Sequence, residues 1–417
     1  MSKYIWMKPR IRMHAGFLFL ILAVLAACGT RQAGEGAAKQ TPAQKLPLPK
    51  LDPQMRKELT TYLESHHQSP EDYVVSKFKD HDIVFIGEYH RIKQNVELIQ
   101  RLIPLLYAAG VHDLGMEFSG YAEREDIEKL ITAPAYDEEL AKDILFRDFI
   151  FWGYQEYADI FKTAWALNHS LPEGAPRVRV IGLGFRSDWS FIKKEGDRED
   201  PEIMKRVWPD GDPDIYMADV ITKEYLDKGK KALIYAGNNH AFTRYRQPIY
   251  NEMKKKFDRF GDTRMGNAIY NKIGDRAFNI FLHASWPNAE GYGKPYVYPV
   301  DGVIDALMRV LDAKDLPAAF DVPGTPFGEL QAKSSLNKYG YEGFTLKDYC
   351  DGYIIQCFLS QYQGVTPIKD FINEKNLEKA KEQSPSLKFR GTNITAKDFN
   401  KVIAGDTDMN EHFGHLY

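Results

Sequence analysis

Six short apolar runs separated by helical patterns constrain this sequence more than any other feature. They are 82–87 (DIVFIG), 113–118 (DLGMEF), 177–183 (RVRVIGL), 231–237 (KALIYAG), 276–283 (RAFNIFLH) and 352–356 (GYIIQ). Near-continuous Val, Ile, Leu and Phe in runs this short suit strands covered on both faces. Between the first two, Ile92, Val96, Ile99 and Ile103 recur at helical spacing, and Gly110 supplies a stop. Before the fourth, Asp212-Pro213 reads as a cap followed by a first-turn proline. Met217, Val220, Ile221 and Tyr225 then share one face, and Gly229 ends the helix. Strands alternating with helices build βαβ units, so the predicted fold class is α/β, with a mostly parallel sheet flanked by helices.

The gap from Phe118 to Arg177 is too long for one crossover. It predicts a helical insertion at about 121–170, with helices near 121–132, 136–150 and 154–169, lying over the sheet's edge. The insertion is rich in aromatics: Trp152, Tyr154, Tyr157 and Trp165. The α/β core then runs over 51–286, and 287–417 forms a C-terminal extension packed on it. Within the extension, 368–383 and 395–403 read as helical.

The first residues read as an address. Lys3, Lys8, Arg10 and Arg12 precede thirteen apolar residues, Ala15–Ala27, a stretch too short to span a bilayer and suited to a signal peptide. Leu25-Ala26-Ala27-Cys28 resembles a bacterial lipobox. The expectation is a lipoprotein signal peptide and lipobox over 1–28, lipid modification of Cys28, and a membrane anchor holding the body in the cell envelope outside the cytoplasm. Residues 29–50 are small, polar and Pro-containing, as a flexible tether would be, with a reach of roughly 25 Å.

Charge narrows the function. The chain carries 55 basic and 58 acidic residues. Removing 1–27 takes away four cations and no anion, leaving 51 against 58, or -7. This balance argues against nucleic acid as a partner, because phosphate neutralisation needs an excess of cations. Three cysteines exclude a disulfide scaffold and a four-cysteine zinc site. Cys350 and Cys357 flank a strand, about 23 Å apart if extended, and read as free thiols. P-loop, zincin, serine-hydrolase and c-type haem motifs are absent.

Open parallel sheets bind ligands at the carboxyl ends of their strands. Here those ends carry Glu88, Tyr89 and His90, then Glu117, Arg186, Asn239, His240 and Arg244. Gly87-x-x-His90 and Gly237-x-x-His240 have the same spacing, and glycine permits a sharp turn at a strand's exit. Neutral imidazoles suit metal ligation or general base work. Glu117 closes an apolar run, so a buried carboxylate there needs a partner, a proton or a metal. His90, Glu117 and His240 are therefore the candidate metal ligands, for Mn, Zn or Co. With Glu88 they are also the candidate catalytic residues. Tyr89, Arg186, Asn239 and Arg244 are candidate substrate-binding residues.

IVFIGEYH, LGMEF and ALIYAGNNHAF together resemble the superfamily that joins Tiki and TraB proteins, ChaN-like haem-uptake lipoproteins and erythromycin esterases. The resemblance covers Ile83–His283, and the lipobox with a GExH start looks most like the ChaN branch. It implies a parallel α/β core with the site at the strand ends. Tiki proteins are metal-dependent peptidases. Erythromycin esterases open a lactone with an activated water and a His/Glu cluster, and ChaN-like proteins bind haem through Tyr and His. The esterases have one more residue between glutamate and histidine than Glu88-Tyr89-His90 has. The leading expectation is a lipid-anchored hydrolase of ester or amide bonds, with a divalent metal or an activated water at the His/Glu site. The alternative is a non-catalytic uptake lipoprotein for haem or iron. Its ligand would be a small molecule, a peptide or haem.

Overall fold

The computed structural model describes residues 45–251, 256–261, 263–290, 293–311 and 315–417. The predicted signal peptide, Cys28 and most of the tether lie outside the described residues. Eleven strands run in chain order: β1 Ile83–Glu88, β2 Asp113–Gly120, β3 Arg179–Gly184, β4 Ala232–Gly237, β5 Pro248–Asn251 and β6 Lys256–Phe260. They continue as β7 Ala277–Leu282, β8 Trp286–Asn288, β9 Gly293–Val297, β10 Ala318–Asp321 and β11 Gly352–Ile355. Seven form one sheet in the order β10-β11-β7-β1-β4-β2-β3. Every pairing in it is parallel except β10 with β11. The fold is α/β with a mostly parallel sheet flanked by helices, and all six apolar runs are strands of it.

Both faces are covered, which is why the strands read as continuous apolar runs. Successive side chains alternate between the faces. Val84, Ile86, Leu233 and Tyr235 enter one core, and Ile83, Phe85, Ala232 and Ile234 the other. The first core is closed by helix Lys93–Ala108 and by the insertion, whose helices are Arg124–Thr132, Glu138–Asp148 and Gln155–Ser170. The insertion covers this face beside the β1–β2 crossover helix, over β2 and the edge strand β3. The second core is closed mainly by Pro213–Glu224 and Met265–Ile273, which contribute Met217, Ile221, Met265 and Ile269. Asp212 caps the first of these, its side chain accepting from the amides of Asp214 and Ile215 at 2.9 and 3.3 Å.

Three differences from the sequence reading stand out. The edge strand β10 is only AAFD, and it is held by β11 and by a bridge to Gln68. Within 368–383 only Leu377–Glu382 is helical, because Asn373 and Asn376 side chains bind nearby backbone and Asp370 takes φ 51°. The last residues of the expected tether are seated on the body: Leu46 N donates to His415 O at 3.2 Å, and Leu48 packs in a cluster with Tyr89 and Phe413. Among the described residues, no helix is long and apolar enough to cross a membrane. Cys350 and Cys357 are free thiols, as expected.

Register aligns the ends of the central strands. Glu88 pairs with Gly237, and Met116 with Tyr235. Glu88, Glu117 and Gly237 therefore leave the sheet at one level, side by side.

Candidate active site

Two histidine-carboxylate systems meet at that level. In the first, Glu88 is 1% exposed at the end of β1. It accepts from Tyr157 OH at 2.6 Å, from Tyr235 OH and from His90 Nδ1 at 2.9 Å. Burial, and then the charge of Glu88, push both phenols well above their ordinary value, so they remain donors. Tyr157 comes from the insertion and Tyr235 from β4. Since Glu88 takes the Nδ1 proton, the neutral His90 ring keeps its Nε2 lone pair. The ring stands edge-on to Phe118 and Trp152, with centroids at 5.6 and 5.2 Å.

In the second, Glu117 Oε2 accepts from Gly237 N at 2.7 Å, and Oε1 lies 3.3 Å from His240 Nε2. His240 Nδ1 donates to Asp214 at 2.7 Å. Asp214 is fully enclosed, and it also accepts from Arg264 Nη1 at 3.0 Å and Met265 N at 2.8 Å. Burial pulls His240 down, but Asp214 and then Glu117 outweigh it, and the ring is pushed up to about 9. Burial likewise raises Asp214, and the charges of His240 and Arg264 bring it down to about 2. At neutral pH this is an imidazolium between two carboxylates.

Gly237 brings the two systems together. A Cβ at this position would lie 2.9 Å from His90 Nε2, 2.5 Å from His90 Cε1 and 3.4 Å from Glu117 Oε2. The His90 ring and Glu117 Oε2 therefore both lie against Gly237, at a position where a larger side chain would strike the ring. His90, Glu117 and His240 side chains are each between 16% and 23% exposed.

The four expected catalytic residues are thus brought together, but not as a metal set. Among the described residues no group of three His, Cys, Asp or Glu side chains is placed to hold an ion. Both His240 nitrogens are engaged with carboxylates, Nε2 near Glu117 at 3.3 Å and Nδ1 with Asp214 at 2.7 Å.

The expected substrate-binding residues fare differently. Tyr89 turns away from the site, into Tyr296 and Phe413, with its OH 3.2 Å from His412 Nδ1. It is a packing residue, not an open haem-type ligand. Arg186 is bound to Asp210 through two nitrogens, at 2.9 and 2.5 Å, on the exposed surface. Arg244 is tied to Asp275 and Asp351, which precede β7 and β11, at the opposite end of the sheet. Asn239 is exposed in the turn before His240 and accepts from Gln247.

Sequence reasoning missed Asp214, Tyr157, Tyr235 and Asp148. Asp148 ends the helix Glu138–Asp148, and its Oδ1 lies where a Cβ on Gly184 would be, 2.3 Å from it. Burial, and then the charges of Glu117 and Glu123, push its carboxyl well above the ordinary range. The Gly182-x-Gly184 pair is explained locally: a Cβ on Gly182 would strike the Ser119 and Gly120 carbonyls at 2.5 Å. Trp152 Nε1 and Ser119 Oγ are buried without a hydrogen-bond partner.

No family model and no curated protein sequence matches this chain. Among solved structures it is similar to a succinoglycan biosynthesis protein, with 12% identity, a TM-score of 0.49, and 76% of this chain and 99% of that one covered. It is also similar to an erythromycin esterase mutant in its open conformation, with 10% identity, a TM-score of 0.44, and 72% and 95% covered. ChaN of Campylobacter jejuni, solved with cofacially bound heme, follows at 12% identity and a TM-score of 0.33, with 55% and 91% covered. Both the esterase and the ChaN branches are thus met among the similar structures. At these identities the likeness is one of chain path alone.

Proposed function

We propose that this protein is a hydrolase of ester or amide bonds that activates water with a histidine and a glutamate, without a metal ion. One observation carries the reading: His90 Nε2 and Glu117 Oε2 both lie beside Gly237, while His90 Nδ1 is tied to buried Glu88. A water held between the two would donate one proton to the Nε2 lone pair and the other toward Glu117. Its oxygen would then be free to attack an acyl carbon. Glu88 stabilises the imidazolium that forms, and Tyr157 and Tyr235 hold Glu88. Such general base catalysis typically contributes about 10²–10⁴-fold. The Phe118–Trp152 stack offers an apolar wall beside His90. The resemblance to the erythromycin esterases supports this reading in the order of the motifs, though not in the spacing of Glu88 and His90. Lipid modification of Cys28, and so an envelope location, is part of the same proposal.

The test uses the purified full chain with chromogenic acyl esters and anilides in the presence of a chelator. Turnover that survives chelation and is lost in His90→Ala and Glu117→Gln is expected. Turnover that appears only on adding Mn, Zn or Co overturns the metal-free mechanism. A haem titration run alongside, with a visible band and no turnover of any substrate, would favour the uptake alternative.

A further inference from the structure

Arg91 directly follows His90 and takes φ 68°, a left-handed conformation that a non-glycine side chain rarely adopts. Glycine would make the same turn without strain. Strain of this kind persists where the surroundings over-determine it, and the contacts around Arg91 do so. It is 4% exposed. Its N–H donates to Tyr157 OH at 3.2 Å and its Nε to Tyr154 OH at 2.9 Å. Its guanidinium lies 4.7 Å over the Trp152 ring, and Nη2 is 3.5 Å from Asp406 Oδ2. Its carbonyl accepts from Val365 N at 3.0 Å.

These contacts come from two places. Tyr154, Tyr157 and Trp152 belong to the insertion, and Tyr157 is also the donor to Glu88. Asp406 closes the helix Ala396–Gly405, far along the C-terminal extension. Tyr154 OH joins the two by donating to Ile403 O at 3.2 Å. On the other side of His90, Tyr89 is held by His412 and Phe413. The extension therefore grips the residues on both sides of His90.

We propose that the C-terminal segment 396–413 is a working part of the site, with Arg91 and Asp406 as positioning residues that hold the strained turn and so keep the Glu88–His90 pair aligned. This rests on the hydrolase reading above for its effect on rate, but its effect on the ring does not. Without Asp406 the buried guanidinium loses a carboxylate that holds it, and the turn loses part of what keeps it strained. His90 would then sample other rotamers and leave Glu88.

The experiment compares the full-length protein with Asp406→Asn, Asp406→Glu and Arg91→Gly. Arg91→Gly accepts the same turn without strain and so guards against a variant that fails to fold. Long-range proton–nitrogen spectra of the histidine rings report the His90 tautomer. Ester assays report kcat and KM separately. Expected for Asp406→Asn and Arg91→Gly are loss of the single Nδ1–H tautomer and a fall in kcat of about 10- to 100-fold with KM little changed. Asp406→Glu should restore both. An unchanged His90 tautomer in folded Arg91→Gly, or an unchanged kcat in the variants when the wild type turns over, overturns the proposal. If the wild type hydrolyses nothing, the hydrolase reading fails alone and the tautomer still decides this one.

Discussion

Replacing Asp214 with Asn tests the electrostatics of the site most directly. Asp214 is buried and is bound by His240, Arg264 and the Met265 amide. The rise of His240 from 6.5 to about 9 is worth about 3 kcal/mol. The fall of Asp214 to about 2 is the other side of the same interaction, so the two are not added. The sign follows from the directions. A histidine raised on folding contributes stability that is complete below its unfolded value of 6.5 and is lost as pH climbs through about 9. The lowered Asp214 contributes stability that is present above 3.8 and lost as pH falls through about 2. Asp214→Asn should therefore destabilise the protein by about 3–5 kcal/mol at pH 6, because it leaves buried cations unpaired. At pH 10 the wild type has already given up the share of His240, so the difference should shrink, while the part of the rise that Glu117 supplies is common to both proteins. What remains there belongs to Arg264 and the Met265 amide. Denaturant melts of both proteins at the two pH values measure it. An equal gap at pH 6 and pH 10 would refute the ion-pair reasoning, and His240 would be neutral in the native site.

Glu88→Gln keeps the shape but replaces charge-assisted hydrogen bonds by neutral ones, so about 1–3 kcal/mol of stability should go, with turnover falling steeply; thermal melts and initial rates read the two. Gly237→Ala, at φ -59°, suits alanine's backbone, but its Cβ would displace the His90 ring, so rate should drop about 100-fold and stability by about 1–3 kcal/mol. Full activity in that variant would mean that the seating of His90 against Gly237 is not used. Cys28→Ala should abolish acyl labelling and detergent partitioning of the full chain; membrane association that survives the change would remove the anchor from the proposal.

Much of the fold was legible because burial on both faces writes itself into sequence. All six apolar runs are strands, with ends within two residues of the expected ones. β10 was invisible, since Ala318-Ala319 gives no period and its place depends on β11 and Gln68. Within the site, Glu88, His90, Glu117 and His240 were legible because a strand's carboxyl end is a known address and GxxH occurs at two of them. Their partners were not. Asp214 looks like any first-turn acid after Asp212-Pro213, and only the packing of its helix on β3 and on the helix Met265–Ile273 sets it beside His240. Tyr235 reads as one more apolar strand residue, although its spacing two before Gly237 puts it next to Glu88. Arg186 and Arg244 were placed at the rim because sequence shows where an arginine starts, not which distant acid it finds. Asp210 and Asp351 decide that.

The seating of Leu46 on His415 has a geometric consequence. Residues 46–48 and 409–416 lie together beside Tyr89, Ile92 and Ala284, all of which follow carboxyl ends of strands. Whatever precedes residue 45 therefore leaves the body from the same end that holds His90 and Glu117. If that stretch leads to a lipid surface, the site faces the surface rather than the open compartment. Substrates would then have to slip in sideways, or come out of the bilayer itself. The length of the leash, more than the shape of the mouth, would set which molecules gain admittance.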